Sequence, residues 1–323
     1  MIQQRTVTFT GNETAALITQ EVEPRLGPTE VAGRTLASLV SPGTELNGSY
    51  LGQNFPRTPG YSAVFEVEHV GTDVEGVARG DHLYAMGKHS SFQQFDIKET
   101  LPVPAGLSPD VAVYCRLMGV TMTTLVTTQA RPPDIVLVTG LGPVGNLGAQ
   151  NFLASGYSVI GCDPDGQRRA LATSLGIEQV VPSVPVDDAE WAGKVAMVLD
   201  CSGHEQAVVD GARTLRRHGE LVLVGAPWAR RTELYAHDLL ESVFFKYVQI
   251  RSGWEWRLPH HSDPFQQRSV FDNFATALAW LAAGKVRTTG LGTMAFPADC
   301  QDAYQDLLHK KSDAPTVVFD WSQ

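Results

Sequence analysis

Three glycines in the run Gly140-Leu141-Gly142-Pro143-Val144-Gly145 have the spacing of a phosphate-cradling turn. A β-type segment from Val136 enters the run, and Asn146 to Leu153, with the composition of a helix, leaves it. In such a turn the first glycine makes the bend and the second lets backbone approach a pyrophosphate. The third lets the helix lie close on the strand. The helix start at Pro143 and Val144 would offer unpaired N–H groups and a favourable dipole to the phosphates. Asp163 ends the next apolar run, 18 residues beyond Gly145, where a carboxylate can accept both hydroxyls of a ribose. Its charge would repel a 2′-phosphate, which favours NAD(H) over NADP(H). Arg168 and Arg169 pull the other way, because an arginine near that ribose is how a 2′-phosphate is accommodated. Cys201-Ser202-Gly203 and Val224-Gly225 follow two further strands at their carboxyl ends, where an open parallel sheet presents its ligand crevice; they are expected to line the nicotinamide.

The elements that must hold these residues are legible as apolar runs. Ile135-Val136-Leu137-Val138, Ser158-Val159-Ile160-Gly161, Val195 to Leu199 and Glu220 to Val224 are short and separated by helix-length segments. A parallel sheet covered on both faces needs this pattern, so the central region reads as a doubly wound α/β domain. Residues 1 to about 110 read instead as short strands broken by turns at Gly27-Pro28, Ser41-Pro42-Gly43 and Pro59-Gly60. Ser108 before Pro109 predicts a capped helix through Leu125. Later segments predict a strand at Val248-Gln249-Ile250, helices near 269–283 and 298–310, and a closing strand at Thr316 to Phe319 that could return to the first domain.

At 323 residues the chain exceeds what one hydrophobic core usually supports, so two domains are expected. A net charge of −10, with no Lys/Arg run longer than a pair, opposes binding to nucleic acid or an anionic membrane surface. No apolar run is long enough to span a bilayer and none at the N-terminus resembles a secretory signal, so the expected compartment is the cytoplasm. Cys115, Cys162, Cys201 and Cys300 are far apart and form no C-x-x-C pair; reduced, mostly buried thiols are the expectation.

Taken together, Gly80-Asp81-His82-Leu83, Leu101-Pro102-Val103-Pro104, the Gly140–Gly145 run, Asp200-Cys201-Ser202-Gly203 and Gly219 to Gly225 make the chain resemble the medium-chain dehydrogenase/reductase superfamily, the alcohol-dehydrogenase-like proteins. The resemblance implies a β-rich GroES-like catalytic domain from residues 1–115 and 288–323, a Rossmann domain over 116–287, and a homodimer or homotetramer. It also marks departures. Where zinc members carry Cys-Gly-Thr-Asp, Gly-His-Glu and a third ligand, this chain has Ser41-Pro42-Gly43-Thr44-Glu45, Gly60-Tyr61-Ser62 and Cys115-Arg116-Leu117. The soft and nitrogen ligands are gone, so the expectation is no zinc. The Ser41–Glu45 segment and Cys115-Arg116-Leu117 are similar to those of the bacteriochlorophyllide hydroxyethyl dehydrogenase branch, which implies interconversion of a secondary alcohol and a ketone on a small polar molecule.

Without a metal, hydride transfer still needs a donor to the carbonyl oxygen. Tyr61, at the position of a ligand histidine, is either that donor or a cleft-wall aromatic. Thr44 matches a proton-relaying hydroxyl or is a turn hydroxyl satisfying its own backbone. Glu45 could orient Thr44 or pair with a basic residue. Arg116 either binds a substrate carboxylate or, the favoured reading, pairs with Glu45. Lys88 and His89 are expected on a solvated loop, and Trp254 and Trp256 to wall the substrate pocket or a subunit interface. The adjacent His260 and His261 are expected to face solvent. Two other readings stand beside the alcohol dehydrogenase: a quinone or enoyl C=C reductase of the same superfamily, and a non-catalytic dinucleotide-binding protein.

Overall fold

The computed structural model describes residues 1–322, which divide into two compact units. The first holds 1–116, 274–283 and the chain from 290 onward; the second holds 117–273 and 284–289. Along the chain run β1 (Ile2–Gly11), β2 (Thr14–Val22), β3 (Glu30–Leu39), β4 (Ala63–Val70), β5 (His82–Ala85), β6 (Phe92–Asp96) and β7 (Thr100–Pro102). The second unit supplies β8 (Ile135–Thr139), β9 (Ser158–Cys162), β10 (Gln179–Val181), β11 (Val195–Asp200), β12 (Leu215–Leu223) and β13 (Gln249–Ser252). β14 (Gly292–Ala295) and β15 (Thr316–Asp320) complete the first unit. The longer helices are α1 (Cys115–Thr127), α2 (Pro143–Ala154), α3 (Gly166–Ser174), α4 (Glu205–Thr214), α5 (Ala236–Lys246), α6 (Val270–Ala282) and α7 (Cys300–Leu308).

In the first unit β1 and β2 form an antiparallel hairpin, and a second sheet runs β14-β15-β3-β4-β5-β7, with β6 also pairing β3. Val7 and Phe9 of β1 turn inward onto Tyr50, Tyr304, Phe319 and Trp321, so the closing segment of the chain builds part of this unit's core. β15 pairs antiparallel with β3, which is the return to the first domain anticipated from the tail.

The second unit carries six parallel strands in the order β10-β9-β8-β11-β12-β13. This is the doubly wound order 3-2-1-4-5-6, with its topological switch between β8 and β11. Every residue of β11 is buried, as expected of a parallel strand covered on both faces. α2 packs on one face with Ala149 and Phe152, and α4 on the other with Ala212.

Several boundaries differ from the expectation. β12 starts five residues earlier, at Leu215, because a register shift against β11 lets the chain pair before Glu220. Ser108 makes no side-chain cap; Pro109–Ala112 is one turn, and the long helix starts at Cys115. β10, three residues long, is too short to show periodicity. Residues 274–283 group with the first unit, where the Phe274 ring meets Tyr84 edge-on at 5.5 Å, whereas the sequence assigned them to the second.

Candidate functional site

The glycine run occupies the turn from β8 into α2, and its three glycines have three different surroundings. Gly140 has φ +82°, a left-handed bend that suits glycine. A Cβ on Gly145 would stand 1.7 Å from the Gly140 carbonyl oxygen, so helix and turn touch backbone to backbone. A Cβ on Gly142 would meet nothing within 4 Å, which leaves open space beside the backbone. Gly142 caps α2 without a side-chain hydrogen bond and Pro143 follows; the first intrahelical bond runs from Asn146 N–H to Gly142 at 2.8 Å. The amides of Val144 and Gly145 therefore face the space over the turn, an arrangement that suits a pyrophosphate.

Asp163, at the end of β9, is 2% exposed. Its carboxylate accepts the Leu141 N–H at 2.8 Å and the Asp165 N–H at 2.9 Å, so it fastens the glycine turn. Arg168 stands 3.6 Å from the same carboxylate. Arg169 is turned to the backbone instead, donating to the Asp163 and Pro164 carbonyls.

Across the switch point Asp200 is fully buried. Its carboxylate accepts from the Thr139 hydroxyl (2.7 Å), the Ser202 hydroxyl (2.6 Å) and N–H (3.1 Å), and the Gly203 N–H (3.2 Å). Burial raises its pKa, and these donors oppose that shift. The Asp200 carbonyl also accepts from Val224 and Gly225. A Cβ on Gly225 would come within 2.3 Å of the Gly203 nitrogen. Cys201, Ser202, Gly203, Val224 and Gly225 are thus tied together at the carboxyl ends of β11 and β12, beside a cavity of about 360 Å³. Trp254 and Trp256 are 65% and 40% exposed, and neither lines that cavity. The Trp256 ring stacks on His260 at 5.1 Å and His261 sits 4.5 Å from the Phe271 ring; His260 is exposed, as expected, and His261 half-buried.

In the first unit the residues around Tyr61 converge. The Arg116 guanidinium, 4% exposed, lies over the Tyr61 ring at 4.6 Å and near Phe274 at 5.4 Å. Burial pushes the Tyr61 phenol above its usual pKa, while the Arg116 charge and the polar Ser41 and Thr44 side chains pull it down. The Tyr61 ring is thus covered on one face by a buried cation.

The favoured Arg116–Glu45 ion pair does not form. Glu45 is 2% exposed and its carboxylate is taken by the Ser41 N–H (2.8 Å), the Tyr304 hydroxyl (2.5 Å) and His89 Nε2 (3.1 Å). His89 is likewise no solvated loop residue: it is fully buried, with Nδ1 2.8 Å from the Ser38 hydroxyl and its ring edge-on to Phe319. Lys88 beside it is exposed. Neither Tyr304 nor His89 carried a local signal, because each lies tens to hundreds of residues from Glu45 in sequence.

Residues 143–257 match the family model described as zinc-binding dehydrogenase. The chain is 30% identical over 155 residues to a sorbitol dehydrogenase of Halalkalibacterium halodurans, covering 46% of this chain. It is 27% identical over 208 residues to an alcohol dehydrogenase of Geobacillus stearothermophilus, covering 53% of this chain. The chain spans 43% and 62% of the lengths of these two proteins. Its fold is similar to that of galactitol-1-phosphate dehydrogenase from Escherichia coli, with a TM-score of 0.82, 18% identity, and coverage of 98% and 99% of the two chains. The fold is shared with solved dehydrogenases.

That family description implies zinc, and the residues present do not fit it. Ser41 and Tyr61 offer neutral hydroxyls, Arg116 a cation, and Cys115 a fully buried thiol whose pKa burial raises. Among the described residues no three of His, Cys, Asp or Glu come together as a metal site.

Proposed function

We propose that this chain is a zinc-independent, NAD(H)-dependent oxidoreductase that interconverts a secondary alcohol and a ketone on a polar small molecule of the polyol class. The observation that carries the reading is the buried Arg116 guanidinium lying 4.6 Å over the Tyr61 ring, a cation and a phenol at positions where the resemblance would place zinc ligands. The sorbitol and alcohol dehydrogenase names of the relatives support the substrate class. The glycine turn would hold the pyrophosphate, and Asp163 the adenosine ribose, with its charge favouring NAD(H). The nicotinamide would supply or accept the hydride. Tyr61 would donate its proton, or a hydrogen bond, to the carbonyl oxygen as charge develops there, with Thr44 relaying and Arg116 favouring the negative oxygen.

Tyr61→Phe keeps the ring and the Arg116 contact but removes the proton. Turnover is expected to fall by about 10²–10⁴-fold, with NADH affinity unchanged and no effect of chelators on the wild type. Undiminished turnover in Tyr61→Phe, or loss of wild-type activity on chelation, would contradict the reading.

The reading includes a homo-oligomer. β13 is an edge strand of its sheet, and α5 and the turn that leads from it into β13 expose Phe244 (76%), Phe245 (66%) and Tyr247 (60%). An open strand edge flanked by exposed aromatics suits burial against a second copy. No helix of the described residues is long and apolar enough to cross a membrane.

A further inference from the structure

We propose that Glu45, His89 and Ser38, locked from the C-terminal segment by Tyr304 and Trp321, form a brace that positions the hydroxyls around Tyr61 and does not itself touch substrate. This deepens, and rests on, the reading of Tyr61 as the proton donor. Each member is buried: Ser38, His89 and Tyr304 fully, Glu45 at 2% and Trp321 at 5% exposure. The Trp321 indole N–H can only donate, so it fixes the Ser38 hydroxyl as its acceptor at 2.9 Å. The Ser38 proton is then left for His89 Nδ1, and that assignment puts the ring proton on Nε2, facing Glu45.

A carboxylate this deep is costly unless donors surround it, and here three do. One of them, the Ser41 N–H, belongs to the segment that carries Ser41 and Thr44; the Glu45 N–H closes the same segment by donating to the Ser41 carbonyl at 2.8 Å. The Glu45 side chain and backbone thus pin both ends of the Ser41–Glu45 turn, and the His89 N–H donates to the Pro59 carbonyl at 3.2 Å, two residues before Tyr61. The remaining two donors to Glu45 come from His89 and from Tyr304 of α7, which stacks on Tyr50 at 5.3 Å in the core of the first unit. Positioning of the Tyr61 cluster is therefore tied to the packing of the C-terminal segment. A polar cluster serving stability alone would leave the phenol unaffected when weakened.

The test uses the full chain labelled with tyrosine carrying ¹³C at Cζ, with the Tyr61 resonance assigned by its absence in Tyr61→Phe. Tyr304→Phe removes one donor to Glu45 with little change of shape, and His89→Phe removes another. Both are expected to displace the Tyr61 resonance and to lower kcat about tenfold with KM little changed, as misplacement of a catalytic group does. His89→Gln, whose amide N–H can again reach Glu45, is expected to restore both. A Tyr61 resonance unmoved in folded Tyr304→Phe overturns the brace, as does failure of His89→Gln to recover what His89→Phe loses. If Tyr61→Phe keeps full turnover while the resonance still responds to these variants, the donor reading falls and the brace stands.

Discussion

Gly145→Ala is expected to destabilise the second unit by about 3 kcal/mol or more, because the added methyl has no place to go. Its Cβ would lie 1.7 Å from the Gly140 carbonyl oxygen, and that atom is backbone, held in turn by the Gly140 N–H bond to Cys162. Relief requires α2 to move off β8, which opens the packing of Ala149 and Phe152 against the sheet. Gly142→Ala is the informative partner. Its φ of −63° is accessible to alanine and its Cβ would meet nothing within 4 Å, so urea midpoints should match the wild type. Dinucleotide affinity should nonetheless drop more than tenfold, since the methyl would occupy the space in which the pyrophosphate approaches the backbone. Denaturation and cofactor titration on the two variants separate packing from binding. A Gly142→Ala protein that is stable and binds normally would show that the pyrophosphate does not lie over this turn.

Asp200→Ala is expected to cost about 4 kcal/mol, because it strands the Thr139 and Ser202 hydroxyls and the Ser202 and Gly203 amides in a buried place, at about 1–3 kcal/mol for each group left unsatisfied. The carboxylate itself is not a source of stability: burial holds its pKa above the usual range, so its charge opposes folding at neutral pH and the four hydrogen bonds offset that cost. Asp200→Asn discriminates between the two effects. It keeps one acceptor oxygen for Thr139 and Ser202 while setting an amide against the Gly203 N–H, and should lose only about 1–2 kcal/mol. Chemical denaturation of the three proteins checks the order. Equal stability of wild type and Asp200→Ala would show that the network is not what joins β8 to β11 at their carboxyl ends.

How far the sequence reached follows from the range of each interaction. The glycine turn was legible because strand, bend, helix and acid lie within about 30 residues and each leaves a local signature in residue type. The parallel strands were legible because burial on both faces gives unbroken apolar runs such as Val195 to Leu199. β10 was not legible, since three residues carry no period, and the early start of β12 was not, since its first residues, Leu215-Arg216-Arg217-His218, read as a polar loop. Around Tyr61 the residue types named the right neighbours but the wrong partners. Opposite charge suggested Glu45 with Arg116; the fold instead lays Arg116 on the Tyr61 face and fills the Glu45 carboxylate with His89, Tyr304 and the Ser41 amide. Those choices depend on which strands of the first unit neighbour one another and on a C-terminal segment more than 250 residues away, and no local pattern records either. The same holds for His89, whose Pro/Gly-punctuated surroundings read as exposed loop although the ring is sealed inside.

The central claim is that the Gly140–Gly145 turn holds a nicotinamide dinucleotide, and its most direct test is equilibrium titration of the purified protein with NADH and with NADPH, followed by the change in nicotinamide fluorescence. Saturable binding of NADH, tighter than that of NADPH, is the result the account predicts; folded protein that binds neither would contradict it.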